Sequence, residues 1–369
     1  MMTLERRAVP FNVLAPGVAA IRPELDVAMA RVLDSGWFLM GPELDAFERQ
    51  WAAYHGPGFL SVGVGSGTDG LKIGLQALGI GPGDDVLVVA NAGIPPVAAL
   101  VATGARPVFC DVDPATHALD PAEIDHRITP HTRAVLVVHL YGHPAPMDAI
   151  LERARANGLK VLEDCAQAHG AHYQGQLVGT FGDAAAFSFY PTKNLGALGD
   201  AGALLTADPE VAERARLLRM YGWRERYTSE LHSTVSRLDE LQAALLATKL
   251  PHLDAWNSAR QALAAQYHVA LDGLVGLPPP EGVFHLYVIR TAERDRLRVH
   301  LTTHGVGVDV HYPRPVHLQT PFAAFGNGSG SLPHTEQLSR EILSLPIYPE
   351  LAAADVAYVC QVIAEFRAA

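Results

Sequence analysis

Apolar residues recur at helical spacing twice near the start of the chain. Leu25, Met29, Val32 and Leu33 follow Pro23 and stop at Gly36, and Leu44, Phe47, Trp51 and Tyr54 form a second stripe. The spacing predicts two opening helices. From residue 59 the pattern shortens: FLSVGV, VLVVA, PVFCDV, AVLVVHL and LKVLED read as strands, with Leu71, Leu75 and Leu78 on one face of an intervening helix. DAAAFSFY and AGALLTA continue the strands. Apolar strands alternating with amphipathic helices predict an α/β fold with a largely parallel sheet covered on both faces.

Helical patterns follow near 209–220 and 238–272, and Leu277-Pro278-Pro279-Pro280 breaks the chain. Beyond the break VFHLYVIR reads as a strand, Ala292–His304 as a helix and Ala353–Phe366 as a closing helix. The organisation expected is a large α/β domain over 1–250, opening helices included, and a small α+β domain with its linking helix over 251–369. GNGSGSLP, residues 326–333, reads as a flexible surface loop.

The 369 residues are 49% hydrophobic, enough for a sizeable core and about two domains. A formal net charge of −11 opposes general attraction to nucleic acid or an anionic membrane, so an anionic substrate must be held locally. The start MMTLERRAVPFN lacks the apolar core of a signal peptide and no apolar run would span a bilayer, so a cytoplasmic location is expected. Cys110, Cys165 and Cys360 are widely spaced and read as reduced core residues. His139-x-x-x-His143 and His169-x-x-His172 are weak metal spacings, and no metal is expected.

Lysine is scarce, with only Lys72, Lys160, Lys193 and Lys249 present. Lys72 beside a helical stripe, Lys160 before a strand and Lys249 in a helix ending before Pro251 read as solvated groups. Lys193 lies in the turn Phe189-Tyr190-Pro191-Thr192-Lys193-Asn194-Leu195-Gly196 after an apolar strand. A partly desolvated amine there has a lowered pKa and can form a Schiff base with a carbonyl cofactor; the alternative is a turn lysine in water. Asp164 ends a strand, where ligands gather in open α/β sheets, and can pair with a protonated pyridine nitrogen. Its alternative is a helix cap or turn. Gln167 can hydrogen-bond a phenolic oxygen of such a cofactor, or stand as a solvated loop amide. The segment Val64–Gly70 joins a strand to a helix, so its backbone N–H groups can receive a phosphate, with Thr68 adding a hydroxyl. Gly65, Gly67 and Gly70 also match G-x-G-x-x-G, which makes a Rossmann oxidoreductase the competitor. The next strand, however, ends in Ala90 and Asn91 without the acidic residue that reading wants.

Together, GVGSGTDGL, GIGPGDDV, EDCAQAHGA, FGDAAAFSFYPTKNLGALGDAGALLT and VSRLDELQAALLATKL resemble the DegT/DnrJ/StrS family of pyridoxal 5'-phosphate-dependent nucleotide-sugar aminotransferases. The similarity runs from SGWFLMGPELDAFE to LSLPIYPEL. It implies fold type I, a homodimer with shared active sites, and transfer of an amino group from L-glutamate to a nucleotide-linked keto sugar. Carried over, it makes Lys193 the cofactor lysine and general base, Asp164 the ring-nitrogen partner and Gln167 the contact to the phenolic oxygen. It places Gly67, Thr68 and Ser188 at the cofactor phosphate, and Arg237 as a polar group offered from the neighbouring subunit. Arg237 pairing with Asp239 or Glu240 is the alternative. SFYPTKNLGALGDAG and SGWFLMG look more like relatives acting on thymidine-diphosphate-linked 3-keto-6-deoxyhexoses than on 4-keto sugars. A non-catalytic regulator is disfavoured by the joint presence of Lys193, Asp164 and Gln167.

Two positions depart from the family's pattern. Gly93 stands where relatives commonly place an aromatic residue that stacks on the cofactor, which implies a roomier or differently shaped acceptor pocket. Val235 replaces an asparagine and puts one polar contact across the dimer in doubt.

Overall fold

Pro23 stands in the first turn of the helix Arg22–Ser35, where no N–H is needed, and Gly36 ends that helix. Leu25 and Val32 are buried as the stripe predicts, but Leu33 is 65% exposed and Ala28 takes the inward place. The second helix, Pro42–His55, buries Leu44, Phe47 and Trp51. Its start is capped from far along the chain: the Glu240 carboxylate accepts the N–H groups of Gly41, Glu43 and Leu44 at 2.7, 2.8 and 3.1 Å. A further short helix, Ala15–Ala20, precedes both.

The computed structural model describes residues 7–368; residues 1–6, part of the start read above for a targeting segment, and residue 369 lie outside them. Its centre is a seven-stranded sheet ordered Leu60–Val64, Gly202–Thr206, Ala184–Ser188, Lys160–Asp164, Thr132–Val138, Asp85–Val89 and Arg106–Cys110. Helices Gly67–Ala77, Ile94–Ala102 and Met147–Ala156 make the crossovers that parallel strands require. One strand runs against the rest: Gly202–Thr206 is antiparallel to both neighbours. The segment 189–201 contains no helix to carry the chain across the sheet, so the chain turns back beside the strand it has just left.

Glu240–Lys249 and Leu253–Leu271 are separated by a tight turn at Leu250–His252, where Pro251 divides the helical pattern read over 238–272. In the C-terminal part, Tyr287–Arg290 pairs antiparallel with Ile342–Leu345, alongside helices Arg294–Thr303 and Ala353–Ala368. Only the second half of VFHLYVIR is strand. Its first half follows the Tyr141–Gly142 turn instead, with Val283 N–H donating to Gly142 O at 3.0 Å and Leu286 N–H to Tyr141 O at 3.2 Å. The helix Pro333–Glu341 follows the 326–332 loop and leads directly into the last strand. Apolar side chains of the sheet and of the C-terminal elements form one continuous core. Cys110, Cys165 and Cys360 are buried free thiols. Among the described residues no helix is long and apolar enough to cross a membrane.

Candidate active site

Register brings the carboxyl ends of the central strands to one edge. Val138 pairs with Asp164, and His139 N–H donates to the Asp164 carbonyl at 3.1 Å. The Asp164 side chain is buried and accepts the Ala166 N–H at 3.0 Å. Burial raises its pKa, opposed by the Ala166 bond and by the nearby charge of Lys193. Among the described residues no cation stands within ion-pair distance of Asp164, so the carboxylate is placed to take a positive partner from outside the chain.

Lys193 sits in a turn fixed by its neighbours. Lys193 N–H donates to Tyr190 O at 2.8 Å, and Ala197 N–H to Phe189 O at 2.8 Å. Asn194, the next residue, is buried and donates to Asn257 Oδ1 at 2.9 Å and Val283 O at 3.0 Å; Asn257 in turn donates to His169 O at 2.8 Å. This buried amide pair ties the lysine turn to both the sheet edge and the C-terminal part. Desolvation lowers the Lys193 amine to about 8, against the attraction of Asp164.

The other lysines divide differently from the sequence reading. Lys160 pairs with Asp183 at 2.8 Å and Lys72 with Asp69 at 3.4 Å, both toward solvent. Lys249, read as solvated, is buried: its Nζ donates to Gly196 O at 2.6 Å, and desolvation lowers it to about 8. Its helix packs this face under the turn that carries Lys193, which periodicity alone could not reveal.

Gln167 is oriented by its backbone neighbours. Tyr141 N–H donates to Gln167 Oε1 at 2.7 Å, and this leaves Nε2 to donate to the Tyr312 hydroxyl at 3.3 Å. Tyr312 also accounts for Gly93. Residue 93 has φ 81°, where L side chains are strained, and a Cβ there would lie 2.9 Å from Tyr312 Cζ. The space expected to be open is filled by a ring from the C-terminal part.

The glycine turn is built for close approach. Ser66 caps the helix Gly67–Ala77 by accepting the Asp69 N–H at 3.1 Å, which leaves the Gly67 and Thr68 N–H groups in the open first turn. Ser188 and Val64 both pair with Gly202, so strand register sets Ser188 beside this turn. A Cβ on Gly67 would lie 2.5 Å from Ser188 Cβ. Nearby, Gly65 N–H donates to Ser236 Oγ at 2.9 Å. Arg237 makes neither of the ion pairs considered for it: Glu240 serves the Pro42–His55 cap, and Arg237 Nη1 contacts Met220 Sδ at 3.9 Å.

The histidines have other tasks. His169 lies among Trp51, Phe187 and Phe189, and burial lowers it to about 3, while His172 is exposed. His143 contacts Glu281 O at 2.6 Å, and His139 Nε2 contacts Glu163 Oε2 at 2.9 Å. Ligand atoms of His139, Glu163 and Cys165 lie within 4.8 Å of one another. Burial opposes the charged form of Glu163, but the His139 bond and N–H groups of Gly179, Phe181 and Gly182 outweigh it and occupy its oxygens. This carboxylate organises its own loop.

The arrangement offers a desolvated amine, a buried carboxylate and an oriented amide near a helix N-terminus. A profile of the DegT/DnrJ/EryC1/StrS aminotransferase family matches residues 20–364. The dTDP-3-amino-3,4,6-trideoxy-alpha-D-glucose transaminase of Streptomyces venezuelae is 49% identical, over 98% of this chain and 97% of that protein. The dTDP-3-amino-3,6-dideoxy-alpha-D-galactopyranose transaminase of Aneurinibacillus thermoaerophilus is 42% identical, over 96% and 98% respectively. The crystal structure of S. venezuelae DesV in complex with ketimine intermediate superposes with a TM-score of 0.95 at 49% identity, covering 99% of each chain. The chain belongs to the DegT/DnrJ/EryC1/StrS aminotransferase family and is a pyridoxal 5'-phosphate-dependent sugar aminotransferase.

Proposed function

We propose that this enzyme moves an amino group from L-glutamate to a thymidine-diphosphate-linked 3-keto-6-deoxyhexose. The names of the S. venezuelae and A. thermoaerophilus relatives support amination at C-3 of such a sugar. A relative from Acidithiobacillus ferrooxidans, 41% identical, is a UDP-N-acetyl-3-dehydro-alpha-D-glucosamine 3-aminotransferase, so the position is better supported than the nucleotide.

The observation that carries the reading is the shared surroundings of Lys193, Asp164 and Gln167. They fit pyridoxal phosphate chemically: Lys193 offers a nucleophilic amine, Asp164 has no ion-pair partner among the described residues and could take a pyridinium, and Gln167 lies beside Tyr312 in the same surroundings. Gly67, Thr68 and Ser188 are the residues to hold its phosphate, at a helix start where Gly67 leaves room for close approach. When bound, the cofactor supplies an electron sink for the bond electrons released at the donor's α-carbon. Lys193 would take the proton from that carbon as general base and deliver it to the bound cofactor, and in the second half it would move a proton from the cofactor to the sugar carbon that receives the nitrogen. Asp164 keeps the ring nitrogen protonated, and Gln167, held by the Tyr141 N–H, fixes the ring's orientation.

A homodimer with shared sites belongs to the same reading. Trp37, Phe38, Leu39, Tyr221 and Val235 are exposed apolar residues on adjoining segments, joined by the Leu39–Asp239 and Met220–Val235 bridges. Arg237, whose Nη1 contacts Met220 Sδ, lies beside this band and is the group proposed to serve a partner's phosphate site. Val235 then contributes apolar contact where an asparagine was expected. Residues 1–250 and 251–369 are taken as the large and small domains, and the enzyme as cytoplasmic. The test of the activity is a panel of nucleotide-linked 3-keto and 4-keto sugars supplied with L-glutamate, with product followed by mass spectrometry. Amination of a 3-keto sugar is expected, and turnover of 4-keto sugars alone would overturn the assignment.

A further inference from the structure

We propose that the ring of Tyr312, a residue of the C-terminal part, packs against the cofactor's ring and helps to retain it. The inference rests on the assignment of Asp164 and Gln167 to that ring. A planar group held by both would lie beside Tyr312, because the Tyr312 hydroxyl accepts from Gln167 Nε2 at 3.3 Å and its ring lies against Gly93. Gly93 has no side chain to cover the group, and its φ of 81° disfavours one.

The ring's position is set by three separate segments. His311, the preceding residue, stacks on Phe11 with centroids 5.7 Å apart, and its Nδ1 contacts Ser344 Oγ at 2.9 Å. The Tyr141 hydroxyl donates to the His311 carbonyl. Ser344 N–H donates to Asp309 O at 2.8 Å, which fastens the segment to the last strand. A ring fixed in this way pays little entropy on meeting a flat ligand, and aromatic pairs favour such contact. Cofactor binding and the seating of the C-terminal part on the sheet edge therefore support each other.

The test is titration of the cofactor-free protein with pyridoxal phosphate, read by absorbance and by the circular dichroism band of the bound cofactor. Tyr312→Phe, which keeps the ring, should bind within about twofold of the parent. Tyr312→Leu should bind roughly three- to tenfold more weakly, the range of one aromatic pair, with a diminished dichroism band that a merely structural role would not move. Tyr312→Met serves as a second ringless variant should leucine fail to fold. Unchanged or tighter binding by a ringless variant would overturn the proposal, as would Tyr312→Phe binding as weakly as Tyr312→Leu. Borohydride labelling of the parent separates the two levels: label absent from Lys193 strikes the site assignment, whereas label present with unchanged ringless variants strikes only Tyr312.

Discussion

Lys249 and Gly196 are joined by a 2.6 Å hydrogen bond from the ammonium to the carbonyl oxygen, three residues beyond Lys193 in the same turn. The contact clamps the turn with a side chain that the sequence reading left in solvent. Lys249→Met should leave that carbonyl unpaired and lower stability in denaturant by about 1–3 kcal/mol. Lys249→Gln, which keeps a donor, should recover part of the loss. Equal stability of Lys249→Met and the parent would show that the clamp contributes nothing.

The same lysine gives a pH signature. Its pKa falls from 10.5 to about 8 on folding, so between those values the unfolded chain binds more protons than the folded one. Stability should therefore gain a rising contribution with pH across that window. The rise should be smaller in Lys249→Met, and identical slopes for the two proteins would contradict the buried assignment.

Gly67→Ala tests the phosphate cradle. The new methyl would stand 2.5 Å from Ser188 Cβ and 3.0 Å from its Cα, so the turn must open. Pyridoxal phosphate affinity should fall by roughly tenfold or more, on the scale of 1.4 kcal/mol per decade. Gly81→Ala meets nothing closer than Thr103 O at 3.9 Å and serves as the control. Equal loss in both variants would show a general effect of removing glycine.

Asp164→Asn should act on two observables. Removing the carboxylate removes the attraction that supports the Lys193 ammonium, so the amine should titrate below about 8. Association of cofactor with the cofactor-free protein, which needs the neutral amine, should then reach its plateau at lower pH than in the parent. Turnover should fall by roughly a hundredfold or more as preorganised charge is lost. A plateau moved to higher pH would contradict the pairing.

Gly93→Phe should not tighten cofactor binding, although the sequence reading of an open pocket would allow it. The position has a positive φ, and Tyr312 fills the space, so the ring would be both strained and overpacked. A stability loss of about 1–3 kcal/mol is expected from overpacking. Tighter cofactor binding at parental stability would show that Tyr312 yields easily.

What the sequence made legible was local. Lys193, Asp164 and Gln167 each follow an apolar strand closely, and strand ends are where α/β sheets present chemistry. Tyr312 and Lys249 were not legible, because each meets its partner only after long-range packing: Tyr312 lies 145 positions from Gln167, and Lys249 lies 53 from Gly196. The reversed strand Gly202–Thr206 has the same apolar composition as its neighbours, and composition carries no direction. Glu240 likewise looked like a partner for Arg237 until its role as a cap 196–199 positions away appeared.

Lys193 is the lysine proposed to hold the cofactor, and Lys249 makes the test demanding, since both amines are lowered to about 8. Amine basicity alone does not choose between them; the contacts proposed for Asp164 and Gln167 with the ring favour Lys193. Borohydride reduction of the protein bound to pyridoxal phosphate, followed by peptide mapping, reads the answer directly. The label should lie on the peptide containing Lys193 and vanish in Lys193→Ala. Label on Lys249, or on Lys72 or Lys160, would contradict the account.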